Sequence, residues 1–287
     1  MFRFHPSRLQ INKKLGKGRF GTVFPYQKDP HDHKWVVKRI KAEDSDALVA
    51  CLPEIILGFS CDHPRVVPVK GYYIEKNPDN EGYNIYMKLP RMKETVRDDF
   101  QERKRKNNPY SEEEVIRHFY SLLCGIEYLH SKKIYHGDIK LNQLLLDEQG
   151  NLRVGDVGIA KHAEEEDSYQ TLTGQKGTDY YSAPEALGEK ATKDQLSKAD
   201  IWSIGAVVLE LCVFDFRLLH AILPRDQLQT TLNELFKSLQ GKFHPSFIAL
   251  VQKLLNLDPE ERPDIGQIKT ELEKNFSQIL VDRHHFH

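Results

Sequence analysis

The spacing of apolar residues changes character part-way along the chain, and that change limits the folds open to it. Before about residue 90 the apolar runs are short, β-branched or aromatic, and bounded by turn residues. Val36–Ile40 and Tyr83–Met87 predict strands, and Asn77-Pro78-Asp79-Asn80-Glu81-Gly82 predicts the turn ahead of the second. From residue 111 the period is helical. Ser111 with Glu114 reads as a capping box. Val115, Phe119, Leu122, Leu123, Ile126 and Leu129 then recur at the spacing of an amphipathic helix that faces a core. Ser197 with Asp200 reads as a second capping box, ahead of Ile201, Trp202, Ile204, Val207, Val208 and Leu211. Beyond about Leu228 the chain reads as several shorter helices. The expectation is an α+β architecture with a small β-rich N-terminal part and a larger, mostly helical C-terminal part. The joint falls near Lys88–Met92, which contains Pro90.

Composition excludes several classes. With 287 residues, 39% of them hydrophobic and 29% charged, the chain is apolar enough to fold. Lys and Arg number 41 against 42 Asp and Glu, and a balance of −1 argues against an electrostatic nucleic-acid binder. The longest near-apolar run, Ile204–Phe214, is interrupted by Glu210 and is far shorter than the roughly 20 residues of a membrane span. The N-terminal residues have no signal-like apolar stretch. Cys51, Cys61, Cys124 and Cys212 form no CxxC pair, which points to a reducing compartment, the cytoplasm by default or the nucleus. Arg103-Lys104-Arg105-Lys106 reads as a solvated loop before the Ser111 helix, and His284-His285-Phe286-His287 as a fraying end rather than a metal site. Nothing in the sequence sets an oligomeric state.

Chemistry is carried by four motifs. Gly16-Lys17-Gly18-Arg19-Phe20-Gly21-Thr22-Val23 would let backbone amides approach phosphate oxygens without an intervening Cβ. Its flanks, Ile11–Leu15 and Val23–Tyr26, read as strands, which favours a glycine-rich hairpin over a strand-to-helix dinucleotide turn. Lys38 lies in the apolar strand Trp35-Val36-Val37-Lys38, where a charge is costly unless paired, and Glu54 is the best internal partner. His136-Gly137-Asp138-Ile139-Lys140-Leu141-Asn142-Gln143 and Asp156-Val157-Gly158 supply two carboxylates, a lysine and an amide. That set suits phosphoryl transfer, with one Asp accepting a hydroxyl proton and the other holding Mg²⁺.

In this order the motifs resemble a eukaryotic protein kinase catalytic domain, from about Leu15 to Phe276. Supporting runs are His63-Pro64, Gly177-Thr178, Ala183-Pro184-Glu185, Asp200-Ile201-Trp202 and Asp258-Pro259-Glu260-Glu261-Arg262. The resemblance implies a bilobal fold with an N-lobe at about 1–87, a hinge at 88–92 and a C-lobe at 93–287, a length of one bare catalytic domain. It implies that Asp138 is the catalytic base, that Lys140 neutralises the transferring phosphoryl group, and that Thr178 contacts both. Asp156 would chelate Mg²⁺ (or Mn²⁺) with Gln143 in the second ligand position. Lys38, paired with Glu54, would hold the ATP phosphates beneath Leu15, Gly16, Lys17, Gly18, Arg19, Phe20 and Gly21. Adenine would lie between Val23, Val36 and Leu145, with Met87 at the back and its edge bonded near Leu89. Glu185 with Arg262 would form a buried ion pair, and Asp200 would anchor the catalytic loop. Lys140 and the Thr178–Glu185 segment are similar to the serine/threonine type, with a protein hydroxyl as substrate.

Four positions depart from the family. Gln143 replaces Asn, Gly137 replaces Arg before the catalytic Asp, Val157 replaces the Phe of DFG, and Pro53 precedes Glu54. Gly58, one helical turn past Glu54, also shrinks an apolar stack, and Tyr73 is a candidate to fill the gap. Inside a helix Pro53 would kink or break it, while in a first turn it is tolerated. Two readings stay open on sequence: an active Mg²⁺/ATP-dependent serine/threonine kinase, and a pseudokinase that binds nucleotide or scaffolds. A small-molecule kinase is disfavoured by the intact peptide-segment pattern.

Overall fold

Alternation of large apolar side chains, two residues apart, builds the first unit around an antiparallel sheet in the computed structural model. The structure describes residues 13–18, 21–26, 34–77, 82–156, 161–162, 181–187, 193–214 and 225–281, except the side chains of 17, 53, 54, 161, 162, 186, 187, 193, 225, 226 and 281. The strands are β1 (Gly16–Gly18), β2 (Gly21–Tyr26), β3 (Trp35–Ala42), β4 (Gly71–Lys76) and β5 (Tyr83–Pro90), in the order β1-β2-β3-β5-β4. The glycine motif itself forms the first hairpin, with Gly16 opposite Val23 and Gly18 opposite Gly21. Of the strand that sequence places at Ile11–Leu15, residues 11 and 12 lie outside the described residues, and β1 begins at Gly16.

Register assigns faces. Val23 pairs with Lys38, Val36 with Leu89, Lys38 with Met87 and Tyr72 with Met87, so these six side chains share one face. Phe24, Tyr26, Val37, Tyr73, Tyr86 and Lys88 share the other. Helix α1 (Ser45–Ser60), capped by the Asp44 carboxylate, covers the first face through Ile55, Leu48 and Leu52 against Ile85, Met87 and Tyr72. It runs through Pro53 rather than ending there. Proline removes the N–H that would reach the Val49 carbonyl, and Val49 lies on the exposed side of the helix. Tyr73 packs with Tyr26, Val37 and Tyr86 on the face opposite α1, so it does not fill the space beside Gly58. Val69 fills it, with its N–H donating to the Gly58 carbonyl at 3.1 Å.

The second unit holds β6 (Glu94–Thr95), α2 (Val96–Lys106), α3 (Glu112–Ser131), β7 (Ile134–Tyr135), β8 (Leu144–Leu146), β9 (Leu152–Val154), β10 (Lys161–His162), α4 (Lys193–Val213), α5 (Arg225–Leu239), α6 (Pro245–Leu254) and α7 (Ile265–Val281). Contacts group the chain as Met1–Lys93 with Gly155–Ile159, and Glu94–Val154 with Ala160–His287. The Ser111–Glu114 capping box opens α3, and its apolar face is fully buried. The basic run 103–106 is the last turn of α2 rather than a loop, where cations suit the helix dipole. Arg103 is drawn inward to Asp99 and Glu114. Ser197 and Asp200 do not start a helix. Helix α4 begins at Lys193, and these two side chains face other partners instead. No helix of the described residues is long and apolar enough to cross a membrane.

Candidate functional site

In the first unit the strand register gathers the expected nucleotide residues. Val23, Val36, Lys38, Met87 and Leu89 lie on one sheet face, with Met87 buried. Leu15 is exposed, and its N–H donates to the Val23 carbonyl at 2.9 Å. Gly21 has a backbone reason to be glycine, with φ of 138° and an added Cβ standing 2.4 Å from the Arg39 carbonyl oxygen. Nothing lies within 4 Å of a Cβ at Gly16. Lys38 Nζ lies 2.5 Å from Asp156 Oδ1, so the structure joins the strand lysine to the expected metal ligand. Asp156 takes φ of 52°, a left-handed conformation that Asp tolerates better than most residues. Arg19, Phe20, Val157, Thr178, Thr171, Thr173 and the terminal His284–His287 lie outside the described residues. So do the side chains of Lys17, Pro53 and Glu54.

In the second unit the loop between β7 and β8 carries the other expected residues. Lys140 Nζ lies 2.8 and 2.6 Å from the two Asp138 oxygens. Gln143 Nε2 reaches Asp138 Oδ2 at 3.4 Å, and the Gln143 N–H closes a turn onto the Lys140 carbonyl at 2.8 Å. Leu145 is half-buried on β8. The loop is held from below by Asp200 of α4, whose two oxygens accept the N–H groups of His136 at 2.9 Å and Gly137 at 2.8 Å. His136 is buried, and its Nδ1 accepts the Asp138 N–H at 3.3 Å, a packing role rather than that of a base. Burial pushes the Asp200 carboxyl up. The His130 hydrogen bond, the charges of His130 and His136, and the Gly137 amide outweigh it and hold the group below the usual carboxylate range. His130 was not legible as a loop-supporting residue, because no local spacing marks it.

Two further contacts fix the surroundings. Arg262 Nη1 and Nη2 reach the Glu185 oxygens at 2.5 and 2.9 Å, while its Nε donates to the Asn256 carbonyl at 2.8 Å. Its guanidinium lies over the Trp202 ring at 5.0 Å, so Trp202 is core. Among the described residues no group of three or more His, Cys, Asp or Glu side chains could hold a metal ion.

The helical unit carries an Asp–Lys loop clamped from α4, and the five-stranded unit a strand lysine paired to an aspartate. The chain belongs to the protein kinase domain family, whose model matches residues 9–272. It is 30% identical over 261 residues to serine/threonine-protein kinase PLK1 of Xenopus laevis, covering 88% of this chain and 40% of that protein. It is 28% identical to serine/threonine-protein kinase pakH of Dictyostelium discoideum, covering 95% of this chain and 52% of that protein. With serine/threonine-protein kinase Nek3 of Oryza sativa subsp. japonica the identity is 26%, covering 91% of this chain and 43% of the relative. The chain thus spans about half or less of the length of these curated relatives.

Proposed function

We propose that the chain transfers the γ-phosphoryl group of ATP to serine or threonine hydroxyls of a protein substrate. The observation that carries this reading is the Asp138 carboxylate held by Lys140 at 2.6 Å on a loop that Asp200 clamps through two backbone amides. Asp138 accepts the proton of the attacking hydroxyl. Lys140 stays beside that carboxylate and offsets negative charge on the phosphoryl group in transfer. Lys38 binds the nucleotide phosphates, and Asp156 and Gln143 supply oxygens for Mg²⁺ or Mn²⁺. When bound, that ion draws charge from the phosphate oxygens. Val23, Val36, Met87, Leu89 and Leu145 shape an apolar adenine site, the glycine hairpin Gly16–Gly21 covers the phosphates, and Thr178 orients Asp138 and Lys140. The proposed division is an N-lobe to residue 87, a hinge at 88–92 and a C-lobe thereafter. Four free thiols support a reducing compartment, cytoplasm or nucleus.

The test is incubation of the purified chain with labelled ATP, Mg²⁺ or Mn²⁺ and a generic basic protein, beside Asp138→Asn. Transfer that is lost in the variant supports the reading. No transfer, with a Mg-ATP-dependent rise in melting temperature, replaces it with a nucleotide-binding pseudokinase.

A further inference from the structure

A buried three-residue network lies beside the loop of Asp138 and takes no part in the chemistry above. Glu210 is 2% exposed on α4, a helix face with no solvent to hydrate a carboxylate. Arg97 Nη1, from the first turn of α2, donates to Glu210 Oε1 at 2.9 Å. The Tyr181 hydroxyl donates to the other Glu210 oxygen. One turn-pair along the same face of α4, Ser203 Oγ lies 2.7 Å from the Tyr181 carbonyl oxygen. Tyr181 is thus tied to α4 by its side chain and by its backbone. Tyr181 also opens the run Tyr181-Ser182-Ala183-Pro184-Glu185, whose far end is fixed by Arg262.

The same network reaches the catalytic loop. The Arg97 N–H donates to the Leu141 carbonyl at 3.2 Å, and a backbone hydrogen bond links Leu141 to the Tyr181 hydroxyl. Leu141 directly follows Lys140 and lies two residues before Gln143. Arg97 therefore holds the loop with its backbone and, through Glu210, holds Tyr181 with its side chain.

We propose that Arg97 is a positioning residue that fixes the Asp138 loop and the Tyr181 segment in one register through the Glu210 carboxylate. This rests on the phosphotransferase reading for its kinetic consequence, though not for its structural one. A network that only filled the core would be replaceable by neutral groups of the same shape. A network that sets register would not, because displacing a reacting group by about 1 Å can cost 10²-fold in rate.

The experiment compares the full chain with Arg97→Met, Arg97→Lys and the double variant Arg97→Met/Glu210→Gln. The single Met variant strands a buried carboxylate and serves as the stability control. The double variant removes that charge while keeping shape. We expect the double variant to melt within a few degrees of wild type. Its kcat for a generic basic protein should fall at least tenfold, with KM for ATP changed less than twofold and partial recovery in Arg97→Lys. Amide exchange at Leu141 and Tyr181 should quicken about tenfold or more, while amides in the middle of α3 keep their protection. Wild-type exchange at Leu141 and Tyr181 in the double variant, or wild-type kcat, overturns the proposal. If the wild-type chain transfers no phosphate, the phosphotransferase reading fails, and the exchange comparison still decides the positioning role.

Discussion

Val69 occupies the space that a side chain at Gly58 would need. A Cβ built on Gly58 would stand 2.3 Å from Val69 Cγ2, and the Val69 N–H already donates to the Gly58 carbonyl at 3.1 Å. The last turn of α1 is therefore seated backbone-first on the segment that precedes β4. Ala at 58 would gain about 1 kcal/mol of helix propensity over Gly. Overpacking against a β-branched methyl that has little rotamer freedom costs about 1–3 kcal/mol. The clash wins, because both residues are buried and neither backbone is free to retreat. Gly58→Ala should lower stability by about 1 kcal/mol in urea unfolding, and should become neutral or stabilising in a Val69→Ala background. Equal effects in both backgrounds would exclude this contact as the cause.

The ring of His118 on α3 sits edge-on to Tyr110 at 6.0 Å. Burial pushes its pKa from 6.5 down to about 4, against the opposing pull of Asp99 and Glu114, with Arg103 adding to the fall. The folded state thus binds fewer protons than the unfolded chain between these values. Stability from this group is complete above about pH 6.5 and is lost as pH falls toward 4. The loss is on the order of 2–3 kcal/mol. Unfolding free energies measured at pH 7 and pH 4.5 should differ by roughly that much more in the wild type than in His118→Gln. An equal pH response in the two proteins would refute the assignment to His118.

Arg262 is fully buried and its guanidinium is engaged on every side: by both Glu185 oxygens, by the Asn256 and Lys198 carbonyls and by the Trp202 face. Removing it leaves Glu185 unpaired, a change that costs about 3–5 kcal/mol for a buried pair. Lys should rescue little, since an ammonium cannot reproduce a planar fork of donors pointing in several directions. Arg262→Met and Arg262→Lys should both unfold at clearly lower denaturant. A Lys variant within about 1 kcal/mol of wild type would show that charge alone suffices.

Legibility in the sequence followed the range of the interaction. Helix α3 was readable because its signals are local: the Ser111–Glu114 box and an apolar stripe that the core buries almost entirely. The shared face of Val23, Lys38 and Met87 follows from strand register, which alternation prescribes once the strands are found. The capping box read at Ser197 and Asp200 misled because capping and loop anchoring use the same short polar side chains. The anchoring that the family resemblance implied for Asp200 is what the fold realises, with both oxygens on the His136 and Gly137 amides. Tyr73 was a reasonable filler by size, but its position parity puts it on the wrong side of the sheet. Arg97 and Glu210 are 113 positions apart, and no spacing rule couples residues at that distance.

Gly137 adopts φ of 72°, and nothing stands within 4 Å of where its Cβ would be. A Cβ is thus permitted by space there, and a side chain is opposed by left-handed backbone strain, about 1–2 kcal/mol. Gly137→Arg should fold with a loss of that size, measured by denaturant unfolding. Without an arginine to grip a phosphorylated loop, the wild-type chain should keep most of its activity when Thr171 and Thr173 are both replaced by Ala. Near-total loss of phosphate transfer in that double variant would contradict loop-independent activity.

Gln143 makes a long contact, 3.4 Å from Nε2 to Asp138 Oδ2, while its backbone is fixed by the 2.8 Å turn onto Lys140. The backbone anchor means the extra methylene relative to Asn must be absorbed by the amide, which shifts by about one C–C bond, roughly 1.5 Å. In the proposed role of Gln143, an oxygen that holds the metal tolerates little such displacement, because Mg²⁺ demands near-octahedral geometry at about 2.0–2.1 Å. Shortening the side chain while keeping the amide should correct the reach without disturbing the loop. Gln143→Asn should therefore raise the phosphate-transfer rate, by up to about tenfold if amide placement limits it, and lower the Mg²⁺ concentration needed for half-maximal rate. The melting temperature should stay unchanged, since Gln143 is only half-buried. A rate equal to or below that of the wild type, at saturating Mg²⁺ and ATP, would mean that the longer amide already reaches its working position.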